Sequence, residues 1–220
     1  MAIRQRAIQA EDKQERADAI LDAAEQLLLR SPERVANVAE VAGEAGLAKG
    51  TVYLYFPSKE ELLLAVHERR VDGFFRALID LVERDDPVEF DDVMALTREH
   101  MVERPLFLPL ASRCFGLMAH SIPLEAAVAF KQRMAGRLER AGAGLERHFT
   151  QLGPGGGFAL LRWSYALIVG LWQLSGDAGD GRIHAFAGPD ASPALVSRYP
   201  QELERALRAL WSGAMADKRQ

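Results

Sequence analysis

The chain has 220 residues, 49% of them apolar and 26% charged, a balance that excludes a disordered protein and leaves room for one large or two modest domains. The apolar set is lopsided: 34 Ala and 29 Leu stand against 13 Val, 7 Ile and 3 Thr, which predicts an all-α protein and argues against a β-sandwich or barrel. With 27 Lys and Arg against 31 Asp and Glu the net charge is −4, and at the level of the whole chain this speaks against a nucleic-acid partner, although binding depends on where the charges sit.

Ala17, Ile20, Leu21, Ala24, Leu27 and Leu28 recur at spacings of three and four, which predicts an amphipathic helix from about residue 11 to 30. Ser31-Pro32 ends it, because a residue before proline avoids the α region. Asn37 with Glu40 three residues later is a capping box in all but its Ser/Thr preference. It opens a short helix with Val38, Val41, Ala42 and Ala45 inward, and Gly46 stands at the left-handed stop. A second short helix spans about 50 to 56 and stops at Pro57. Ser58 and Glu61 read as another capping box, starting a helix to about residue 83.

A helix, a short helix, a glycine-containing turn and another short helix form the helix-turn-helix pattern. The last of these carries Lys49, Thr51, Tyr53 and Tyr55 toward solvent over an apolar anchor of Val52 and Phe56. On spacing alone, an ordinary helical corner with exposed tyrosines is an equal alternative.

Further helices are predicted over about 88–104, 107–119, 124–152, 158–175 and 200–211, about nine in all. Gly136, Gly142 and Gly144 inside the 124–152 helix predict bending or close helix approach. The 158–175 stretch is apolar nearly all round, which predicts burial on several sides or an interface. Residues 176–199, rich in Gly, Asp, Pro and Ala, predict a long functional loop.

The run Ala45-Gly46-Leu47-Ala48-Lys49-Gly50-Thr51-Val52-Tyr53-Leu54-Tyr55-Phe56-Pro57-Ser58-Lys59-Glu60-Glu61-Leu62 resembles the signature of the TetR-type transcriptional repressor family, and Val38-Ala39-Glu40-Val41-Ala42 resembles the family's second helix. The resemblance covers about residues 15 to 65. It implies a three-helix DNA-binding head, residues 1–57, on a larger helical ligand-binding and dimerisation body, residues 58–220. It also implies a homodimer whose recognition helices enter successive major grooves of a palindromic operator, with half-sites about 34–36 Å apart. A small-molecule effector in the body would then change the separation of the heads and release the DNA.

Residue by residue, Lys49, Gly50, Thr51 and Tyr53 match positions that meet base edges or the adjacent backbone. Tyr55 and Lys59 match phosphate contacts. Asn37 matches the Thr or Ser that opens the second helix, where it can cap the helix while its amide meets a phosphate. Three departures stand out. Ala36-Asn37 replaces the usual Thr or Ser pair. Ala48 replaces the usual Ser and forgoes a cap worth on the order of 1 kcal/mol. Leu54 stands where a polar or aromatic residue is common and can pack on a thymine methyl.

Over residues 1–60 there are eight basic and ten acidic residues, a formal −2. Helix N-termini and backbone amides are therefore expected to carry part of the phosphate binding, with a shallow salt dependence. Arg4 and Arg6 are expected on a flexible arm that either reaches the minor groove or stays solvated.

In the body, an aromatic and Met-rich set that includes Phe74, Met94, Phe115 and Tyr165 can line an apolar cavity. Phe75, Met101, Phe107, Cys114, Met118, Phe130, Met134, Trp163 and Trp172 are the candidate contacts to a modest apolar or aromatic effector, with plain core packing the competing reading of each. His100, Arg104, Arg113, Cys114, His120 and Arg162 can orient a ligand. The stretches 158–175 and 200–211 are expected to form a four-helix dimer interface.

No metal or cofactor is expected: Cys114 is the lone cysteine, and no metal-ligand spacing is present. Gly153 to Gly157 lacks the Lys-Ser/Thr of a phosphate loop, and no nucleophile-base-acid pattern points to an enzyme. The first twelve residues lack an apolar signal region, and the longest charge-free apolar stretch, Trp163 to Gly176, has 14 residues, short of the ~20 that span a bilayer. A cytoplasmic protein without a membrane partner is expected. The alternative reading is an all-α small-molecule binding protein whose head serves as a protein-docking module.

Overall fold

Nine α-helices and no strand form the described part of the chain: α1 (Ala2–Arg30), α2 (Val38–Glu44), α3 (Lys49–Tyr55), α4 (Lys59–Val82), α5 (Phe90–Thr97), α6 (Phe107–His120), α7 (Leu124–His148), α8 (Gly156–Leu174) and α9 (Tyr199–Ala216). The computed structural model describes the backbone of residues 2–31, 34–175 and 199–216 and, apart from residues 2–11 and Ala119, their side chains. The loop expected over 176–199 lies, except for Tyr199, outside the described residues.

The local signals of the head act as chemistry dictates. Asn37 Oδ1 accepts the N–H groups of Ala39 and Glu40 at 2.9 and 3.0 Å, and the Glu40 carboxylate takes the Asn37 N–H at 2.8 Å. Both halves of the capping box are thus made. Helix α2 ends as Gly46 turns to φ 66°, and the Leu47 N–H reaches back to the Ala42 carbonyl at 2.9 Å. Helix α3 begins at Ala48 without a side-chain cap. The Ser58 box is only half made: Ser58 Oγ accepts the Glu61 N–H at 3.1 Å, but its own hydroxyl, not its backbone N–H, meets the Glu61 carboxylate.

The head core joins Ile20, Leu21, Ala24 and Leu28 of α1 to Val38, Val41 and Ala42 of α2 and Val52 of α3. It is closed by Leu62, Leu63 and Val66 of α4 and by Leu106 and Leu110 at the start of α6. Arg69 reaches Asp22 and Glu25 at 2.8 and 2.9 Å, and Arg70 reaches Glu25 at 3.0 Å, so ion pairs also tie α4 to α1.

In the body, α4 packs on α6 and α7, α7 on α8, and α8 on α9. Helices α7 and α8 cross at two glycines. A Cβ on Gly142 would lie 2.5 Å from the Phe158 backbone nitrogen, and one on Gly157 would run into the Gly142 carbonyl. Gly144 sits as closely against Val82, while Gly136 faces open space. Helix α8 starts without a cap of its own, and the Glu146 carboxylate of α7 takes the Gly157 N–H at 3.0 Å.

Four elements differ from the sequence reading. Helix α1 begins at Ala2, so Arg4 and Arg6 lie on a helix and not on a free arm. The helix predicted over 88–104 passes from α5 into a π-helical turn, Arg98–Val102, closed by the Glu103 N–H on the Arg98 carbonyl five residues back. The helix predicted to residue 152 ends at His148, where Arg147 and His148 both meet the Val82 carbonyl, and a 3₁₀ turn, Thr150–Leu152, follows. The last helix continues past 211 to Ala216.

His67 joins three of the body helices. Its Nε2 lies 3.1 Å from the Tyr165 hydroxyl of α8, and its ring packs on Phe107 of α6 with centroids 5.6 Å apart. Burial lowers its pKa from 6.5 to about 4, against a smaller opposing pull from Glu68.

Gly142→Ala is expected to cost about 1–3 kcal/mol by forcing backbone apart, a fall of several degrees in melting temperature at about 2–4 °C per kcal/mol. Gly136→Ala is expected to be neutral or slightly stabilising. Calorimetry checks both, and equal effects would contradict the crossing.

His67 binds a proton more readily unfolded than folded. Its contribution to stability is therefore complete above pH 6.5 and is lost as pH falls toward about 4. His67→Gln is expected to flatten this acid slope, by up to about 1.4 kcal/mol per pH unit, in denaturant titrations across pH 4–7.

Candidate functional site

The exposed face of α3 follows from its one buried anchor. Val52 is fully buried, which turns Lys49, Gly50, Tyr53 and Leu54 outward, Tyr53 at 42% and Leu54 at 83% exposure. Thr51 is half-buried. Tyr55 is also half-buried and packs against the head core.

Asn37, Lys49, Tyr53 and Lys59 line one surface cleft between the starts of α2, α3 and α4, together with Pro57 and Ser58. Four of the seven candidate DNA contacts thus share a depression, while Gly50, Thr51 and Tyr55 lie outside it. The Lys49 ammonium stands 5.8 Å from the Tyr53 ring centroid, which holds both side chains over the cleft. Because Asn37 Oδ1 is engaged by the cap, its Nδ2–H donors are the part of the side chain left for a ligand.

The acidic count of the head is offset locally. Arg30 forks onto Glu44 at 3.0 and 2.6 Å, and Arg34 onto Glu40 at 3.0 and 2.8 Å. These hydrogen bonds hold both carboxyls below the usual glutamate range. Arg69 and Arg70, beyond the first sixty residues, engage Asp22 and Glu25 in ion pairs as well.

The body encloses a cavity of about 680 Å³. Phe75, Met101, Cys114, Met118, Phe130 and Met134 line it, six of the nine candidate ligand residues. The other three are not on its wall: Phe107 is fully buried against His67, Trp172 is buried in the core, and Trp163 is 47% exposed. An apolar residue type does not say which side of a helix faces a void. Among the polar candidates Cys114 and Arg162 line the cavity, and His100, Arg104, Arg113 and His120 do not.

Sequence reasoning passed over His67, Thr97, Lys131, Ser164 and Trp211, which also line it. His67 continues the inward spacing Leu63, His67, Val71 of α4 and was legible there. Most interior polar groups are partnered within the protein: Ser164 Oγ takes the Trp211 indole N–H at 3.1 Å, and Thr97 Oγ1 donates to the Val93 carbonyl at 2.8 Å. Burial pushes the Cys114 thiol up to about 12 and also raises the Tyr165 hydroxyl, so both stay protonated near neutral pH.

Helix α6 belongs to both sites. Leu106 and Leu110, at its start, complete the head core, and Ala111, Cys114, Phe115 and Met118 form cavity wall. Helix α8 leaves Trp163, Ala166 and Leu174 exposed, the last at 82%. Among the described residues no cluster of His, Cys, Asp and Glu could hold a metal ion, and no helix is long and apolar enough to cross a membrane.

Comparison with known proteins agrees with this arrangement. Residues 20–66 match the family described as bacterial regulatory proteins, tetR family, and residues 68–218 match the one described as tetracyclin repressor-like, C-terminal domain. An uncharacterized HTH-type transcriptional regulator of Mycobacterium tuberculosis is 29% identical over 188 residues, 82% of this chain and 88% of that protein. The HTH-type transcriptional regulator EthR of the same species is 41% identical over 73 residues, 33% of each. The fatty acid metabolism regulator protein of Bacillus subtilis is 32% identical over 59 residues, 27% of this chain and 30% of that protein. The match thus spans about a third of the length of these last two relatives. Among solved structures, the fatty acid degradation regulator FadR of Bacillus halodurans superposes with a TM-score of 0.51 at 17% identity, covering 92% of this chain and 99% of its own, a likeness of fold. Both matched families are regulators, a non-enzymatic class. With its head in one and most of its length in the other, the chain belongs to the TetR family of transcriptional regulators.

Proposed function

We propose that this regulator is a homodimeric repressor that binds a palindromic operator through residues 1–57 and is released when a small, largely apolar effector enters the cavity of residues 58–220. The observation that carries the reading is α6, whose first turn completes the head core while its next turns form cavity wall. A ligand that displaces α6 acts on the head without any further relay.

At the DNA, Lys49, Gly50, Thr51 and Tyr53 meet base edges and the neighbouring backbone, and Leu54 offers a methyl-sized apolar contact. Lys59, the Tyr55 hydroxyl and the Asn37 Nδ2–H donors meet phosphates. Their shared cleft, bordered by the N-terminus of α4, supports this assignment. In the body, Phe75, Met101, Cys114, Met118, Phe130 and Met134 contact the effector, whereas Phe107 and Trp172 serve the core.

The exposed apolar face of α8 supports the dimer. Trp163 and Leu174 lie on one side of the helix, and α9, which packs on α8, leaves the small residues Ala209 and Gly213 exposed. Two copies of this pair make a four-helix contact across a two-fold axis.

Fragments of source-genome DNA retained by the protein give the operator. On it, Thr51→Ala with Tyr53→Ala is expected to lose about a hundredfold in affinity, with the cavity's ligand affinity unchanged. Retained binding would overturn the assignment of α3. Trp163→Arg with Leu174→Glu is expected to halve the mass seen by light scattering, and an unchanged dimer would move the interface elsewhere.

A further inference from the structure

We propose that the effector is an amphipathic anion, with its apolar body in the cavity and a single negative group at the mouth, met by Lys131 and Arg162. The proposal rests on the reading of the cavity as the effector site.

Lys131 of α7 and Arg162 of α8 both line the cavity and are both solvent-exposed. A residue that does both stands at an opening. Phe115 of α6 and Ala166 of α8 are likewise exposed lining residues, which places the mouth between α6, α7 and α8. Among the described residues no Asp or Glu lines the cavity.

The two cations also differ from their neighbours. On the same helix as Lys131, Arg133 pairs with Glu68 at 2.6 Å, Arg137 with Glu68 and Asp72 at 3.0 Å, and Arg140 with Glu83 at 2.7 Å. Among the described residues Lys131 and Arg162 have no such partner. Two uncompensated cations on an apolar rim attract an anion and repel a lipophilic cation.

The interior keeps the charge at the rim. Its ionisable groups, His67, Cys114 and Tyr165, are all neutral near pH 7, and a charged group carried inward would lose its hydration with no countercharge to meet it. The volume of about 680 Å³ is ample for the apolar part of a drug-sized molecule.

The test uses two dyes with one skeleton, 1-anilinonaphthalene-8-sulfonate and the neutral N-phenyl-1-naphthylamine, titrated by fluorescence into the full-length protein. The readout is the ratio of their affinities. Lys131→Gln with Arg162→Gln is expected to lower the anion-to-neutral ratio about three- to tenfold, with the neutral dye unaffected. Ala135→Trp, which fills the cavity from α7, is expected to exclude both dyes. An unchanged ratio overturns the proposal and leaves the cavity reading standing. Entry of the neutral dye alone overturns the proposal only, whereas failure of both dyes to enter, or binding of both that persists in Ala135→Trp, overturns the cavity reading and the proposal with it.

Discussion

Five aliphatic side chains from outside the three-helix head complete its core. Leu62, Leu63 and Val66 come from α4, and Leu106 and Leu110 from the start of α6. Each is nearly or fully buried, and exposing one costs about 1.5–3 kcal/mol. The head core is therefore complete only with α4 and α6 in place. The Arg69 and Arg70 pairs to Asp22 and Glu25 fix the rotation of α1 over α4, although partly exposed pairs contribute little to stability. Because α6 also forms cavity wall, packing in the body and geometry in the head are set by the same helix.

The rest of the body is rigid where α6 needs a backstop. The Gly142–Gly157 crossing brings α7 and α8 into backbone contact, and arginines of α7 bind carboxylates of α4 along their length. His67 and Tyr165 add a buried polar joint from α4 to α8. A close-packed frame transmits displacement because it cannot absorb it. The least regular wall is the π-helical turn Arg98–Val102, which brings Met101 to the cavity, and a flexible thioether there suits ligands of varied outline.

Charge shows why a whole-chain sum is a poor guide to binding. The head carries more acid than base, yet Glu40 and Glu44 are engaged by Arg34 and Arg30, and Asp22 and Glu25 by arginines of α4. Lys49 and Lys59 stand at the cleft. The pairing with Arg69 and Arg70 was invisible in sequence because it spans more than forty residues. What was legible were short-range signals, each set within about one helical turn: the Asn37–Glu40 box, the Gly46 stop, the missing cap at Ala48 and the buried Val52 anchor. Apolar periodicity found the helices but not the π turn, which changes hydrogen bonding without changing residue type. It gave six cavity residues and passed over Thr97, Ser164 and Lys131, which carry no apolar signal.

The claim that head and cavity share one packing unit is tested most directly by backbone hydrogen exchange, residue by residue, with and without a saturating cavity ligand such as N-phenyl-1-naphthylamine. A shared core predicts altered protection in the first turn of α6 and in α2 and α3, none of which lines the cavity. Changes confined to the cavity-lining turns of α4 to α9, with α2 and α3 unaffected, would contradict it.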